Sequence, residues 1–227
     1  MYWNEHRIPW WKYEGSRQRK ATQVDVNEHL LREISSQYSG VAWNVLDIGC
    51  WTWTFLSELA YILPDFSLYW VDKLFPFPKQ VQDQRFSVKK NDIELWIDYK
   101  DSEFLLCVSK FMIMYLEDLW FHFSEVSRII KQDGEYFVVT LNPEYTLEKQ
   151  RQVNGLKDIS YWDEVTHEII WAGIKVKLIL HSPSDYEDAI GESWFSLVSK
   201  EQLFHPKPRF EFARYIPFAD ILRLKKS

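Results

Sequence analysis

A short apolar segment that ends in Asp47-Ile48-Gly49 is the strongest constraint on the fold of this 227-residue chain. Val45 to Ile48 has the composition of a buried strand, and apolar residues then recur at helical spacing from Leu56 to Leu63. A glycine between strand and helix permits a positive φ and places no Cβ between the backbone and a ligand. The segment therefore predicts a strand, a tight turn suited to close approach of a ligand, and a helix that ends at Pro64.

Strand-like and helix-like patterns alternate through the first two thirds of the chain. The predicted strands are Val45–Ile48, Ser67–Val71, Phe86–Val88, Phe104–Val108 and Tyr136–Leu141. Helices are predicted over residues 23–36, from about Thr52 to Leu63, and from Leu116 to a turn at Gln132-Asp133-Gly134. This alternation predicts a parallel sheet with right-handed crossovers.

The remainder of the chain has a different pattern. Glu168–Trp171 and Ile174–Leu180 flank Ala172-Gly173, which predicts an antiparallel hairpin. Ser184 and Glu187 have the spacing of a helix capping box. Ser196–Val198 and Ile221–Leu224 are predicted closing strands. The expected fold class is α/β, with a Rossmann-like, mainly parallel seven-stranded sheet, helices on both faces and an antiparallel C-terminal edge.

Composition and charge exclude several classes of function. A formal net charge of −6 argues against nucleic-acid binding, and no apolar run is long enough to cross a membrane. The N-terminus has no basic-then-apolar signal layout, so a cytoplasmic location is expected. Cys50 and Cys107 lack the spacing of metal ligands and are predicted to be small core residues, so no metal site is expected.

The N-terminal segment is unusually aromatic for a tail. We expect it to dock over the pocket of its own domain or to form a homodimer or other protein contact. The aromatic residues concerned are Tyr2, Trp3, Trp10, Trp11 and Tyr13.

The order and spacing of these segments resemble the class I methyltransferases that use S-adenosylmethionine (SAM). The resemblance covers roughly residues 40–145 and continues more weakly to residue 227. It rests on the Asp47-Ile48-Gly49 turn, Asp72, Asn91-Asp92, and the segments that begin at Ser109 and Ser127. It implies a single domain over residues 1–227, with an N-terminal lid (1–40), a nucleotide-binding half (41–145), and a substrate-side part with closing strands (146–227).

The resemblance also implies a set of cofactor-binding residues. Asp72 stands where the family binds the ribose hydroxyls, and Asn91-Asp92 stands where the adenine is contacted. The remaining candidates are Asp47, Gly49, Trp51 and Ser109. Trp51 and Trp53 replace the second and third glycines of the family's Asp-x-Gly-x-Gly-x-Gly pattern. An indole at position 51 fills the space for the methionine part of SAM, lines the pocket, or packs in the core against the following helix, and core packing is expected more of Trp53 than of Trp51.

His181 and Tyr186 are the candidate catalytic residues. The segment from His181 to Tyr186 resembles one that borders the substrate pocket in related methyltransferases, where a histidine or tyrosine can take a proton from the attacking group. The alternative is that His181 ends a strand and Tyr186 is a packed ring. His122 lies beside a helical core stripe and is predicted to be structural.

Three functions are therefore compatible with the sequence. The first is SAM-dependent methylation of a small molecule, plausibly in a specialised biosynthetic pathway. The second is a catalytically inactive relative that serves as a binding or activating subunit. The third is a non-methylating reaction, such as a cyclisation, carried out on the same fold.

Overall fold

The computed structural model describes residues 17–38, 42–49, 54–73, 84–169, 174–206 and 208–227. These residues form the five α-helices α1 (Arg17–Tyr38), α2 (Thr54–Ile62), α3 (Leu119–Ile129), α4 (Pro143–Gln152) and α5 (Pro183–Glu192). The described strands are β1 (Asn44–Ile48), β2 (Ser67–Asp72), β3 (Phe86–Lys90), β4 (Phe104–Lys110), β5 (Ile130–Leu141), β6 (Glu164–Ile169), β7 (Ile174–Ile179), β8 (Phe195–Leu203) and β9 (Ala219–Lys226).

Seven strands form one sheet in the order β3-β2-β1-β4-β5-β9-β8. The pairs from β3 to β5 are parallel, whereas β9 and β8 join antiparallel to β5 and to each other. The predicted fold class is thereby confirmed, and so is the order third, second, first, fourth, fifth that the resemblance to class I methyltransferases implies. Strands β6 and β7 form a separate antiparallel hairpin.

Helices cover both faces of the sheet, as the fully apolar parallel strands require. On one face, α1 and α2 bury Leu30, Ile34 and Phe55 against the strands. On the opposite face, α3 and α5 bury Phe123 and Ala189. Because side chains alternate along a strand, consecutive residues of β1 pack into the two different hydrophobic cores on opposite faces of the sheet.

Several predicted boundaries differ from the observed ones. The N-cap of helix α5 lies two residues before the predicted one. Ser182 caps it by accepting from the Asp185 amide, and the Asp185 side chain accepts from the Ser182 amide. Pro183 follows this cap because the first helical turn needs no amide donor there. The predicted capping box at Ser184 and Glu187 is therefore wrong.

Other observed boundaries differ from the predicted ones because pairing between strands sets them. Strand β5 runs through the predicted turn at Gln132-Asp133-Gly134, with Asp133 at φ +62°. Strand β6 begins at Glu164, four residues before the prediction. Helix α4 was not predicted. It starts where the Asn142 side chain accepts a hydrogen bond from the Tyr145 amide.

Cys107 is fully buried in β4, and burial raises the pKa of its thiol, as expected of a core residue. Strands β1 and β4 are adjacent, with Leu46 opposite Cys107. Cys50, which follows β1 along the chain, lies outside the described residues.

None of the helices among the described residues combines the length and the apolar character needed to cross a membrane.

Candidate functional site

The candidate site lies at the carboxyl edge of the sheet, where the parallel strands β1, β2, β4 and β5 all end. In open α/β sheets this edge is where ligands bind. Asp47 and Gly49 come from β1 and its turn, Asp72 ends β2, and Lys110 ends β4. The topology thus brings predicted site residues from distant parts of the chain to one edge.

Asp47 is the most unusual residue at this edge. Its side chain is completely buried, and neither carboxyl oxygen has a hydrogen-bond partner. Burial raises the pKa of Asp47 from 3.8 to about 7, because removing a carboxylate from water penalises the charged form. The Lys110 ammonium lowers this pKa, and the Asp72 carboxylate raises it further. An isolated buried acid of this kind is typical of a functional site.

Asp72 and Lys110 share the sheet face that carries Asp47, the face covered by α1 and α2. Asp72 is 8% exposed at the end of β2, which is the position predicted for it. Lys110 donates to Asn27 Oδ1 at 3.1 Å, and its ammonium lies 4.1 Å from the centre of the Phe55 ring. The sequence interpretation did not single out Lys110. Its one signal was a charge two residues after the apolar run Phe104–Val108.

Gly49 adopts φ +66°, and its amide donates to the Val71 carbonyl at 2.8 Å. A Cβ at this position would lie 2.2 Å from Met112 Cγ, which is far inside contact distance. Both the positive φ and the packing of Met112 therefore require glycine here. The predicted tight turn is present, and the segment after β4 packs directly against it.

The two residues assigned to adenine have structural partners. Asp92 Oδ2 lies 2.5 Å from Lys73 Nζ, and Asp92 Oδ1 accepts from the Glu94 amide at 3.3 Å. Asn91 Oδ1 accepts from the Asp98 amide at 3.2 Å. These contacts shape the loop that follows β3. A direct role toward a cofactor stays a prediction for both residues.

Ser109 lies on the opposite face of the sheet from Asp47. The register pairs Asp47 with Val108, so Ser109 points to the side of α3 and α5. Its hydroxyl donates to the Ile48 carbonyl at 3.2 Å. Among the described residues, no hydrogen bond links Ser109 to Asp47, and the cofactor role of Ser109 stays a prediction.

His122 lies on the buried face of α3, within the core, as predicted for a structural residue. Its Nε2 lies 2.9 Å from the Tyr136 hydroxyl, and burial lowers the pKa of His122 from 6.5 to about 3. The imidazole is therefore neutral at physiological pH. Ser109 also bonds the Tyr136 hydroxyl. This network ties β4 and β5 to α3.

His181 and Tyr186 meet in a second region, beyond the carboxyl end of β5. Their rings make an edge-to-face contact with centroids 5.8 Å apart. They border a small cavity between the β6–β7 hairpin and the start of α4. Its other lining residues are Met114, Leu141, Pro143, Thr146, Leu178, Ile179 and Leu180, so its wall is mostly apolar.

The hydrogen bonds of His181 fix its protonation state. Its Nε2 lies 2.9 Å from the Leu116 carbonyl, which can only accept, so Nε2 carries the proton. Burial lowers the pKa of His181, so the ring is neutral at pH 7 and Nδ1 holds a lone pair. Nδ1 is buried and has no hydrogen-bond partner. His181 can therefore accept a proton or a hydrogen bond.

Tyr186 is held in the neutral form. Its hydroxyl lies 3.3 Å from Thr140 Oγ1, and burial raises its pKa to about 12. Beside it, Trp162 packs edge-to-face on His181 with ring centroids 5.3 Å apart. Trp162 has φ +71° and is 59% exposed, an uncommon conformation for a large residue. The sequence interpretation had not identified Trp162 at this position.

Some predicted features lie outside the described residues. They are Trp51, Trp53, Cys50 and the aromatic residues of the first sixteen positions. Their cofactor, core and docking roles stay predictions.

Comparison with solved structures identifies the fold. A candidate SAM-dependent methyltransferase from Listeria monocytogenes aligns over 88% of this chain and 98% of its own, with a TM-score of 0.68 and 14% identity. Geranyl diphosphate C-methyltransferase from Streptomyces coelicolor, solved with geranyl diphosphate and S-adenosyl-L-homocysteine (SAH), aligns over 89% and 77%, with a TM-score of 0.63 and 14% identity.

A third similar structure is the protein bound to the Trm112 methyltransferase activator of Haloferax volcanii. It aligns over 97% of this chain and 99% of its own, with a TM-score of 0.63 and 14% identity. No family model matches the sequence, and neither does any curated protein. The chain therefore has the class I methyltransferase fold, as its sequence resemblance indicated.

Proposed function

We propose that this protein is a SAM-dependent methyltransferase that acts on a small molecule. The observation that carries the proposal is Asp47, a fully buried acid with both oxygens unpaired, next to the Gly49 turn at the ligand-binding edge. A buried carboxyl without a partner costs stability, so its retention in the core is explained by a ligand that compensates it. SAM has such groups, because it carries a cationic amine and a sulfonium.

The described residues fit SAM at this edge. Asp47 and Asp72 would hold its polar and cationic groups, on either side of the backbone turn at Gly49. When bound, SAM supplies a methyl group on a sulfonium, which is a good leaving group. Positioning of the reactants can then provide much of the rate.

His181 is proposed to accept the proton of the attacking group. Its Nδ1 is an unpaired acceptor on a ring that the Leu116 carbonyl holds in place. Nδ1 would accept the proton that a hydroxyl or amine of the substrate loses when it is methylated. Tyr186, with its hydroxyl kept protonated, is proposed to donate a hydrogen bond to the same small molecule.

Isothermal titration of the purified protein with SAM and SAH tests the cofactor proposal. We expect saturable binding that Asp47→Asn weakens, with Asp65→Asn as the matched control, because Asp65 is exposed in the turn before β2, at the opposite edge of the sheet. If neither SAM nor SAH binds the wild type, the methyltransferase proposal is wrong.

SAM titration of the Trp51→Gly variant distinguishes an active enzyme from a catalytically inactive relative. Weak wild-type binding that this substitution strengthens would favour a blocked pocket and a binding or activating role. Tight wild-type binding that the substitution weakens would refute the blocked pocket. Catalysis is then measured as transfer of a labelled methyl group to apolar alcohols, phenols and amines, with His181→Phe expected to lower turnover but not SAM affinity.

A further inference from the structure

Three side chains with metal-binding chemistry meet where α1 faces the edge strand β8, and none of them belongs to the candidate active site. His29 and Glu33 come from α1, and Glu201 comes from the edge strand β8. One potential ligand atom from each lies within 4.8 Å of the others. Imidazole nitrogen and carboxylate oxygen are both ordinary ligands of divalent transition metals.

The fold holds these residues together from two directions. His29 and Glu33 are four residues apart, so they project from the same face of α1. Leu30 and Ile34 are fully buried and fix the rotation of the helix against the sheet. Glu201 is held by β8, where it pairs with Ile221 of β9. The site therefore joins two elements that are far apart in sequence.

The contact between His29 and Glu201 does not have the alignment of a hydrogen bond. His29 Nε2 lies 3.0 Å from Glu201 Oε2, yet this buried nitrogen makes no hydrogen bond. A nitrogen and an oxygen side by side, without a hydrogen bond between them, match two ligands that face a shared ion. The His29 side chain is 12% exposed, whereas Glu201 is 45% exposed and free to adjust.

We propose that His29, Glu33 and Glu201 bind a divalent transition metal, with Zn²⁺ the favoured ion, and so tie α1 to β8. Zn²⁺ holds such ligands at about 2.0–2.2 Å in tetrahedral geometry. Its ligand atoms are then closer to one another than 4.8 Å. Rotation of the two glutamate side chains brings the ligand atoms to this shorter separation, and water completes the metal coordination.

The surrounding charges set the affinity. Arg32 Nη2 lies 3.1 Å from His29 Nδ1 and must donate to it. A metal on Nε2 requires the proton on Nδ1, so Arg32 has to leave that contact. Arg223 also interacts electrostatically with Glu33, but its guanidinium already donates two hydrogen bonds, of 2.9 and 2.6 Å, to Glu135. Arg32 is therefore the direct competitor of the metal.

Titration of the full chain with ZnCl₂ tests the proposal. We expect one saturable site and an increased melting temperature on binding. His29→Gln and Glu201→Gln should each weaken binding at least ~10-fold. Arg32→Gln should bind Zn²⁺ at least as tightly as the wild type. MgCl₂ should not substitute, because Mg²⁺ prefers oxygen ligands and retained water.

Glu28→Gln is the matched control, because Glu28 lies on the same helix but is exposed and outside the cluster. It should leave Zn²⁺ affinity unchanged. Circular dichroism of each variant establishes that α1 is intact. Absence of Zn²⁺ binding by the wild type would overturn the proposal. So would wild-type affinity in both His29→Gln and Glu201→Gln, or weakened binding in Arg32→Gln.

Discussion

Replacing Asp47 by Asn should stabilise the unliganded protein while weakening its ligand binding. The rise in the pKa of Asp47 from 3.8 to about 7 is a stability cost. At about 1.4 kcal/mol per pKa unit, it corresponds to a cost on the order of 4 kcal/mol. Asn has nearly the same shape as the protonated acid and carries no charge at any pH.

The sign of the effect follows from proton binding. Between pH 4 and pH 7 the folded protein holds a proton on Asp47 that the unfolded chain has released, so its stability falls as pH rises. The full cost is present above pH 7 and absent below about pH 4. The stability difference between Asp47→Asn and the wild type should therefore be small in acid and grow toward neutral pH.

Urea unfolding at a series of pH values measures this difference. Each denaturation midpoint and slope gives a free energy of unfolding. A difference between variant and wild type that does not change from pH 4 to pH 8 would refute the assignment of a raised pKa to Asp47. A variant that is stabilised and still binds SAM normally would instead refute the role of Asp47 in the cofactor site.

Three further substitutions test the proposed ribose contact, the Gly49 turn and the buried imidazole. Asp72→Ala should weaken SAM binding by about 1.5–3 kcal/mol in isothermal titration, and unchanged affinity would exclude the ribose contact. Gly49→Ala should destabilise the fold by more than about 2 kcal/mol in urea unfolding, because it adds a collision with Met112 to the strain of a positive φ. Gly155→Ala is its control, because φ is +73° there with no atom within 4 Å of the added Cβ. An equal loss of unfolding free energy in both variants would argue against the collision with Met112. His122→Phe should lose less stability than the wild type between pH 6.5 and pH 4, because it lacks a buried imidazole whose pKa is lowered to about 3; parallel acid-unfolding curves would contradict this.

The sequence was sufficient to predict the strands and a mainly parallel sheet, and its resemblance to class I methyltransferases implied their order. Apolar runs such as Phe104–Val108 identify buried strands by themselves, and right-handed crossovers leave few ways to arrange them. It was also sufficient to predict the turn at Gly49 and the carboxyl-edge position of Asp72. These features depend on local composition and on the connectivity of the chain.

Boundaries depended more on contacts than on local pattern. Strand β5 begins at Ile130, opposite Phe104 of β4, and a register shift before Glu135 leaves Asp133 and Gly134 in an irregular stretch outside the pairing with β4 and β9. The cap of α5 moved from Ser184 to Ser182, because several polar residues there could cap and packing of the helix selects one. Local propensity offers alternatives, and tertiary contacts choose among them.

The electrostatic character of the candidate site was decided by tertiary structure alone. Asp47 looks like an ordinary acid in the sequence, and its raised pKa arises only from complete burial and from the positions of Lys110 and Asp72. Glu201 comes beside His29 although 172 positions separate them, because β8 lies across from α1. Periodicity reports which face of an element is buried, whereas pKa values and ligand clusters depend on what lies opposite that face.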